Sequence, residues 1–210
     1  MTHSRGVSMP AKVMIIGASS GIGKALATQL ASEGVNLGLT ARRIELLEEL
    51  QTELTHQFNV QVDILPMDVA HFQKSADGFK VLLTQMGRVD WIIVCAGLGY
   101  INPDLDPAKE LETIQVNASG FVNLASRAFQ YFKEQGGGHF IGVSSIAALH
   151  SSRHAPAYNA SKALISNYMK ALRYKADQEH LNIYITDIRP GFVDTAMAQG
   201  DGVFWAASPE

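Results

Sequence analysis

The chain has 210 residues, 47% of them hydrophobic and 18% charged, enough apolar material for one domain with a substantial buried core. A formal charge of -3 leaves no basic field to hold a nucleic acid or an acidic membrane surface. The single cysteine, Cys95, excludes an internal disulfide, no Cys/His or acidic cluster has metal-ligand spacing, and no apolar run approaches the ~20 residues of a membrane span.

Residues 1–10 are polar, lack the apolar core of a signal peptide and read as a loose leader to a single domain over 11–210. The default expectation is a cytoplasmic protein. Residues 12–16 form a short β-rich run that stops at Gly17, and beyond Gly21-Ile22-Gly23 the residues Leu26 and Leu30 recur at helical spacing. A second strand is expected over 35–40, a Leu- and Glu-rich helix over 43–57 and a third strand over 60–65. Residues 69–86 have a helical period and 91–94 a buried strand, while 109–134 is long enough for one long helix or two abutting ones. Gly136-Gly137-Gly138 punctuates the chain before a strand over 139–143. A helix over 156–179 carries Tyr158 near its start, and a sixth strand covers 183–188. Strands that alternate with helices, and are apolar throughout rather than every second residue, predict a doubly wound α/β domain with a parallel sheet covered on both faces.

The turn Gly17-Ala18-Ser19-Ser20-Gly21-Ile22-Gly23 joins the first strand to its helix. Glycines there let a pyrophosphate approach main-chain N–H groups at the positive end of the helix. A nucleoside triphosphatase loop is excluded, because Ala18 lies five residues before Gly23 and Ala25 stands where a magnesium-binding hydroxyl is needed. The spacing also departs from G-x-G-x-x-G, although strand, turn and helix still favour a dinucleotide. At the end of the second strand Arg42 and Arg43 stand where an acid would select NAD, so they argue for the 2′-phosphate of NADP(H); the alternative is two arginines opening an exposed helix. Asp68 either accepts from an adenine amino group or caps the helix beginning near Val69.

Tyr158 and Lys162 lie four residues apart, on one face of a helix. A cation beside a phenol stabilises the phenolate and lowers its pKa, which would prepare Tyr158 for proton transfer. Such pairs are also common on solvated helix faces.

With Gly17 to Gly23 near the start, Ser144-Ser145 after the fifth strand, Tyr158-Asn159-Ala160-Ser161-Lys162 beginning thirteen residues beyond Ser145, and Arg189-Pro190-Gly191 after the sixth strand, the chain resembles the short-chain dehydrogenase/reductase family from about Ala11 to Met197. The resemblance implies a Rossmann-like sheet of order 3-2-1-4-5-6. It implies Tyr158 as catalytic acid/base, Lys162 lowering its pKa and bonding the nicotinamide ribose, Ser145 holding the substrate oxygen, and Asn117 anchoring a water-linked proton path to the lysine. The implied cofactor positions are Gly17, Ser19, Ser20, Gly21, Ile22 and Gly23 in the phosphate turn, Ser19 and Arg42 at the 2′-phosphate, and Asp68 and Val69 at the adenine. Ala96 and Gly97 would pass close to the adenosine, and Pro190, Gly191, Val193 and Thr195 would clasp the carboxamide.

The chain departs from the family's pattern in two places. Val94-Cys95-Ala96-Gly97 replaces the usual Asn-Asn-Ala-Gly, with Cys95 as a small core residue. The family's seventh strand is missing before Glu210, so the natural protein is expected to be longer. The expected function is an NADP(H)-dependent carbonyl reductase or alcohol dehydrogenase with a small-molecule substrate, assembled as a homodimer or homotetramer. The alternatives are a non-catalytic NADP(H)-binding regulator on the same fold, and an epimerase or dehydratase, which usually carries a larger C-terminal substrate domain. Residues 150–154 are polar and suit either an anionic substrate group or an exposed loop, and Phe192, Met197, Phe204 and Trp205 would add apolar walls.

Overall fold

Strand β1 (Lys12–Ile16) takes the middle of the sheet because Val13 to Ile16 are apolar on both faces and none is more than 1% exposed. In the computed structural model, which describes residues 11–191, it pairs in parallel with β2 (Asn36–Ala41) on one side and β4 (Trp91–Val94) on the other. β3 (Val62–Pro66) continues beyond β2, and β5 (Gly138–Val143) and β6 (Ile183–Ile188) continue beyond β4, giving the expected order 3-2-1-4-5-6. The order reverses at β1, so a crevice opens between the carboxyl ends of β1 and β4 where open α/β sheets bind ligands.

Side-chain alternation along β1 divides the interior in two. Val13 and Ile15 join Leu37 and Leu39 under α1 (Gly21–Ser32) and α2 (Ile44–Phe58), which contribute Ala27, Leu30, Leu47, Leu50 and Leu54. Met14 and Ile16 face α3 (Phe72–Met86), α5 (Phe121–Gln135) and α6 (Pro156–Gln178), packing with Phe79, Leu82, Leu124, Phe132, Ile165 and Met169. Each fully buried aliphatic or aromatic side chain contributes roughly 1.5–3 kcal/mol, so the two layers hold the strand ends, and the crevice between them, in fixed positions.

Local side chains shift several expected boundaries. β3 begins at Val62 rather than at 60, because Asn59 ends α2 in the left-handed region at φ 53° and the Gln61 N–H donates to Asn36 Oδ1 at 2.8 Å. α3 begins at Phe72 rather than 69: Asp68 Oδ1 accepts from the Ala70 N–H at 3.0 Å, so Asp68 caps a turn, and His71 holds the helix N-cap position. The stretch expected as one long helix or two abutting ones is two α-helices that abut through a π turn. α4 (Pro107–Thr113) runs through a π-helical turn, Ile114–Gly120, directly into α5. Asp106 starts α4 by accepting from the Ala108 N–H at 3.0 Å, with Pro107 at the first helical position. Among the described residues, no helix is long and apolar enough to cross a membrane.

Candidate active site

The glycine turn sits at the head of the crevice. Gly17 has φ 94°, and a Cβ there would fall 2.5 Å from the Ala96 nitrogen; a Cβ on Gly23 would fall 2.1 Å from the Gly17 carbonyl oxygen. Only bare backbone lets the turn press against both the end of β4 and its own helix. The Gly17 and Ala18 N–H groups donate to the Thr40 carbonyl at 2.8 and 3.0 Å, fastening the turn to β2. α1 begins after Ser20 with no side chain capping its first amides. Those amides, Ser19, Ser20 and a cation thus lie together, which suits an anionic phosphate.

The cation beside the turn is Arg43. Its Nη2 donates to Ser19 Oγ at 3.1 Å and to Ser20 Oγ at 2.9 Å. Arg42, expected at the 2′-phosphate, is not the arginine that bonds these hydroxyls. Arg42 instead lies near enough to Tyr100 for its charge to act on that phenol, whose hydroxyl donates to Glu112 at 2.7 Å. Val69 packs against the π-helical turn, where a Cβ on Gly120 would meet the Val69 carbonyl at 2.8 Å, and Gln115 Nε2 donates to the Ala70 carbonyl at 3.0 Å. Asp68, bonded into its turn, also lies 3.3 Å from His71 Nδ1.

At the floor of the crevice the Cys95 and Ala96 N–H groups share the Ile16 carbonyl at 2.8 and 2.9 Å. Burial pushes the Cys95 thiol up to about 12, so it is a neutral packing group rather than a nucleophile. Asn117, in the π-helical turn, is fully buried: Oδ1 accepts from the Leu98 N–H at 2.8 Å, while Nδ2 donates to the Leu98 carbonyl at 2.7 Å and to Ser161 Oγ at 3.1 Å. It therefore joins the loop after β4 to α6. A Cβ on Gly97 would lie 3.3 Å from Asn117 Oδ1 and 3.6 Å from Lys162 Nζ.

Ser145, Tyr158 and Lys162 come together on the β5 side. Ser145 Oγ accepts from the Ala147 N–H at 3.1 Å and so caps the short 3-10 turn Ile146–Ala148, while its hydroxyl donates to the Pro190 carbonyl at 3.4 Å. Pro190 also accepts from the Ile146 N–H at 3.0 Å. Lys162 is 6% exposed, its Nζ donates to the Val143 carbonyl at 3.0 Å and lies 5.6 Å from the centre of the Tyr158 ring. Burial pushes the ammonium down to about 8. The expected lowering of the Tyr158 pKa is not met. Burial raises it, and the Ser145 hydroxyl works in the opposite direction. Burial of the phenol is the larger effect, and the ammonium, 5.6 Å from the ring centre, spends a hydrogen bond on the Val143 carbonyl.

Other residues of the site have no signature at short sequence range. Glu110 Oε2 accepts from the Ala157 N–H at 3.0 Å, one residue before Tyr158, and its Oε1 accepts from Asn102 Nδ2 at 2.7 Å. Asn102, 1% exposed, also donates its backbone N–H to the His154 carbonyl at 2.7 Å. The polar loop at 150–154 bonds largely within itself and to α6, through Arg153 Nε to His154 Nε2 at 2.9 Å and Asn159 Nδ2 to the His150 carbonyl at 2.5 Å, as an exposed loop would. Gly191 ends the described residues; Val193 and Thr195, with Phe192, Met197, Phe204 and Trp205, lie outside them.

A family model described as short chain dehydrogenase matches residues 11–202. An uncharacterised oxidoreductase of Listeria monocytogenes is 32% identical over 190 residues, spanning 89% of this chain and 76% of the relative. Among solved structures, the NADPH-dependent 3-quinuclidinone reductase from Rhodotorula rubra superimposes with a TM-score of 0.82 at 32% identity, over 93% of this chain and 74% of its own. An alcohol dehydrogenase from the archaeon Thermococcus sibiricus, complexed with 5-hydroxy-NADP, gives a TM-score of 0.82 at 28% identity, over 89% of this chain and 79% of its own.

Proposed function

The chain belongs to the short-chain dehydrogenase family, an oxidoreductase family, and on that premise we propose that it is an NADP(H)-dependent enzyme interconverting a carbonyl and a secondary alcohol. The observation that carries this reading is the buried Lys162 ammonium beside Tyr158 and Ser145. Burying a cation is costly, and a protein that only bound a dinucleotide would not need one next to a phenol.

The residues present fit a dinucleotide. Gly17 and Gly23 leave a backbone cradle, the first amides of α1 are uncapped, and Ser19, Ser20 and Arg43 gather hydroxyls and a guanidinium beside it. Arg43, with Arg42 next to it, favours the 2′-phosphate form. The Rhodotorula enzyme is NADPH-dependent and the Thermococcus enzyme binds an NADP derivative, in keeping with that preference. Bound in the crevice, the nicotinamide would supply or accept the hydride.

In carbonyl reduction Tyr158 gives its proton to the oxygen that gains negative charge, and Ser145 donates a hydrogen bond to the same oxygen. Lys162 would stabilise the phenolate left behind, and with the cofactor bound it would hold the nicotinamide ribose. Asn117 keeps the loop after β4 and α6 at a fixed separation. Oxidation of an alcohol uses the same groups in reverse. Exposed Leu111 on α4 and Leu164 on α6 suit packing of two or four copies through these helices.

The test is NADPH consumption by the chain against aldehydes, ketones and quinones, wild type beside Tyr158→Phe. The variant is expected to bind NADPH normally and to lose about 10²–10⁴-fold in turnover. Normal turnover by the variant would remove Tyr158 from the mechanism.

A further inference from the structure

Helix α6 carries Tyr158 and Lys162, yet its own sequence does little to secure its first turn. The N-cap position is Ala155, which has no side chain to cap with, no acid follows in the first turn, and Pro156 at the first helical position has no N–H. The missing acceptor comes from α4. Glu110 Oε2 accepts from the Ala157 N–H at 3.0 Å, so a carboxylate from 47 residues away stands at the positive end of the helix, next to the residue that precedes Tyr158.

The other oxygen of the same carboxylate reaches the loop after β4. Oε1 accepts from Asn102 Nδ2 at 2.7 Å. Asn102, 1% exposed, also donates Nδ2 to the Asp106 carbonyl at 3.1 Å, accepts from the Asp106 N–H through Oδ1 at 3.0 Å, and donates its own N–H to the His154 carbonyl at 2.7 Å, just ahead of α6. The loop is therefore pinned twice, at Leu98 by Asn117 and at Asn102 by Glu110 and its neighbours. Between the pins Gly99 lies against the phenol ring, where a Cβ would fall 2.8 Å from Tyr158 Cδ2. Glu110 thus bonds both supports of Tyr158: the helical turn that carries it, through Ala157, and the loop that flanks its ring, through Asn102.

We infer that Glu110 is a positioning residue: its carboxylate is the cap that α6 lacks and the brace of the loop beside Tyr158, and it fixes the direction from which the phenol meets a substrate oxygen held by Ser145. Glu110 acts through Ala157 and Asn102 rather than on the reacting atoms. This rests on the acid/base reading of Tyr158 given above.

The experiment reverses the polarity of one bond. In Glu110→Gln a single side-chain oxygen cannot serve both Ala157 and Asn102, and the new amide N–H groups confront a donor; in Asn102→Asp two carboxylates face each other. In the double variant the new amide donates to the new carboxylate while its oxygen accepts from the Ala157 N–H, so donors and acceptors match again. With NADPH and a carbonyl that the wild type reduces, each single variant is expected to lose about 10–10²-fold in kcat at unchanged NADPH affinity. The double variant should return to within about fivefold of wild type, a non-additive outcome that two independent defects would not give. The ring resonances of Tyr158, identified in NMR spectra of the full chain by their loss in Tyr158→Phe, should shift in each single variant and move back in the double. Glu110→Ala removes both bonds, and its Ala157 amide proton is expected to exchange with solvent at least about tenfold faster. Should that variant fail to fold, the near-isosteric Glu110→Gln and the double variant decide. A merely structural Glu110 would lower the denaturation midpoint of the single variants and leave kcat of the folded enzyme and the Tyr158 ring signals at their wild-type values. That result, or a double variant no better than the weaker single one, overturns the proposal. A wild type inactive on every carbonyl would sink the proposed function, while the ring resonances and the Ala157 exchange would still decide whether Glu110 holds Tyr158 in place.

Discussion

Asn117 and Leu98 bind each other through both halves of an amide: the Leu98 N–H donates to Asn117 Oδ1 at 2.8 Å, and Asn117 Nδ2 donates to the Leu98 carbonyl at 2.7 Å. No water is needed to complete this pairing, and it sits in a fully buried position. Asn117→Ala would leave two backbone groups without partners, at about 1–3 kcal/mol each. Urea denaturation should show a loss of about 2–6 kcal/mol for the two together, and a midpoint unchanged from wild type would mean the loop after β4 is held by something else.

Arg43 rather than Arg42 bonds Ser19 and Ser20, so Arg43→Ala is expected to weaken NADPH binding about tenfold to a hundredfold, as for a lost hydrogen bond to a charged group. Arg42→Ala should have the smaller effect, and NADH affinity should change little in either. Fluorescence titration with both cofactors checks this; equal losses for NADPH and NADH would remove the 2′-phosphate assignment.

Lys162→Met tests the cost of the buried ammonium. The folded protein holds this lysine at about 8, against its ordinary value of 10.5 in the unfolded chain. Between those values the unfolded chain binds more protons, so stability rises with pH through the window, and below it the full penalty remains. The methionine variant should therefore be the more stable at pH 7, by up to about 3 kcal/mol, and that advantage should shrink as the pH rises from 8 toward 10.5. A constant difference across the window would contradict the depressed value.

Gly99 touches the phenol ring: a Cβ there would lie 2.8 Å from Tyr158 Cδ2 and 3.1 Å from Cε2. Gly99→Ala should displace the ring while sparing the cofactor cradle. Steady-state kinetics are expected to show kcat/KM down by about 10–10²-fold at unchanged NADPH affinity. Unaltered kcat/KM would show that the loop yields rather than the tyrosine.

The strands and their order were legible because parallel strands buried on two faces must be apolar runs, and Lys12–Ile16 and Trp91–Val94 are such runs. Helix and strand ends were less so, since Asn59 and Asp68 set them through side-chain bonds that periodicity does not register. Gly17 to Gly23, Ser145, Asn117, Tyr158 and Lys162 were visible as motifs at fixed intervals. Glu110 was not, because its partner Ala157 lies 47 residues away, and Arg43 was visible only together with Arg42, since its bonds to Ser19 and Ser20 span the turn. The Tyr158 pKa went the other way from expectation because spacing along a helix brings an ammonium near a ring without saying how deeply both are buried, or which atom it faces.

The π-helical turn was hidden for a related reason, since residues 107–135 keep an unbroken helical character. A π turn accommodates one residue more than the α repeat, and each residue of an α-helix advances the face by about 100°. Phe121, Leu124 and Ala125 can thus meet the core while Asn117 meets Leu98, two directions that a regular helix of the same length would bring out of step. Removing any single residue from Ile114–Gly120 would restore regular backbone bonds and turn one of these two sets away from its partner. The number of residues in this stretch is therefore constrained as tightly as their identity, and homologous chains that keep the asparagine should tolerate substitutions here far better than a one-residue change in length.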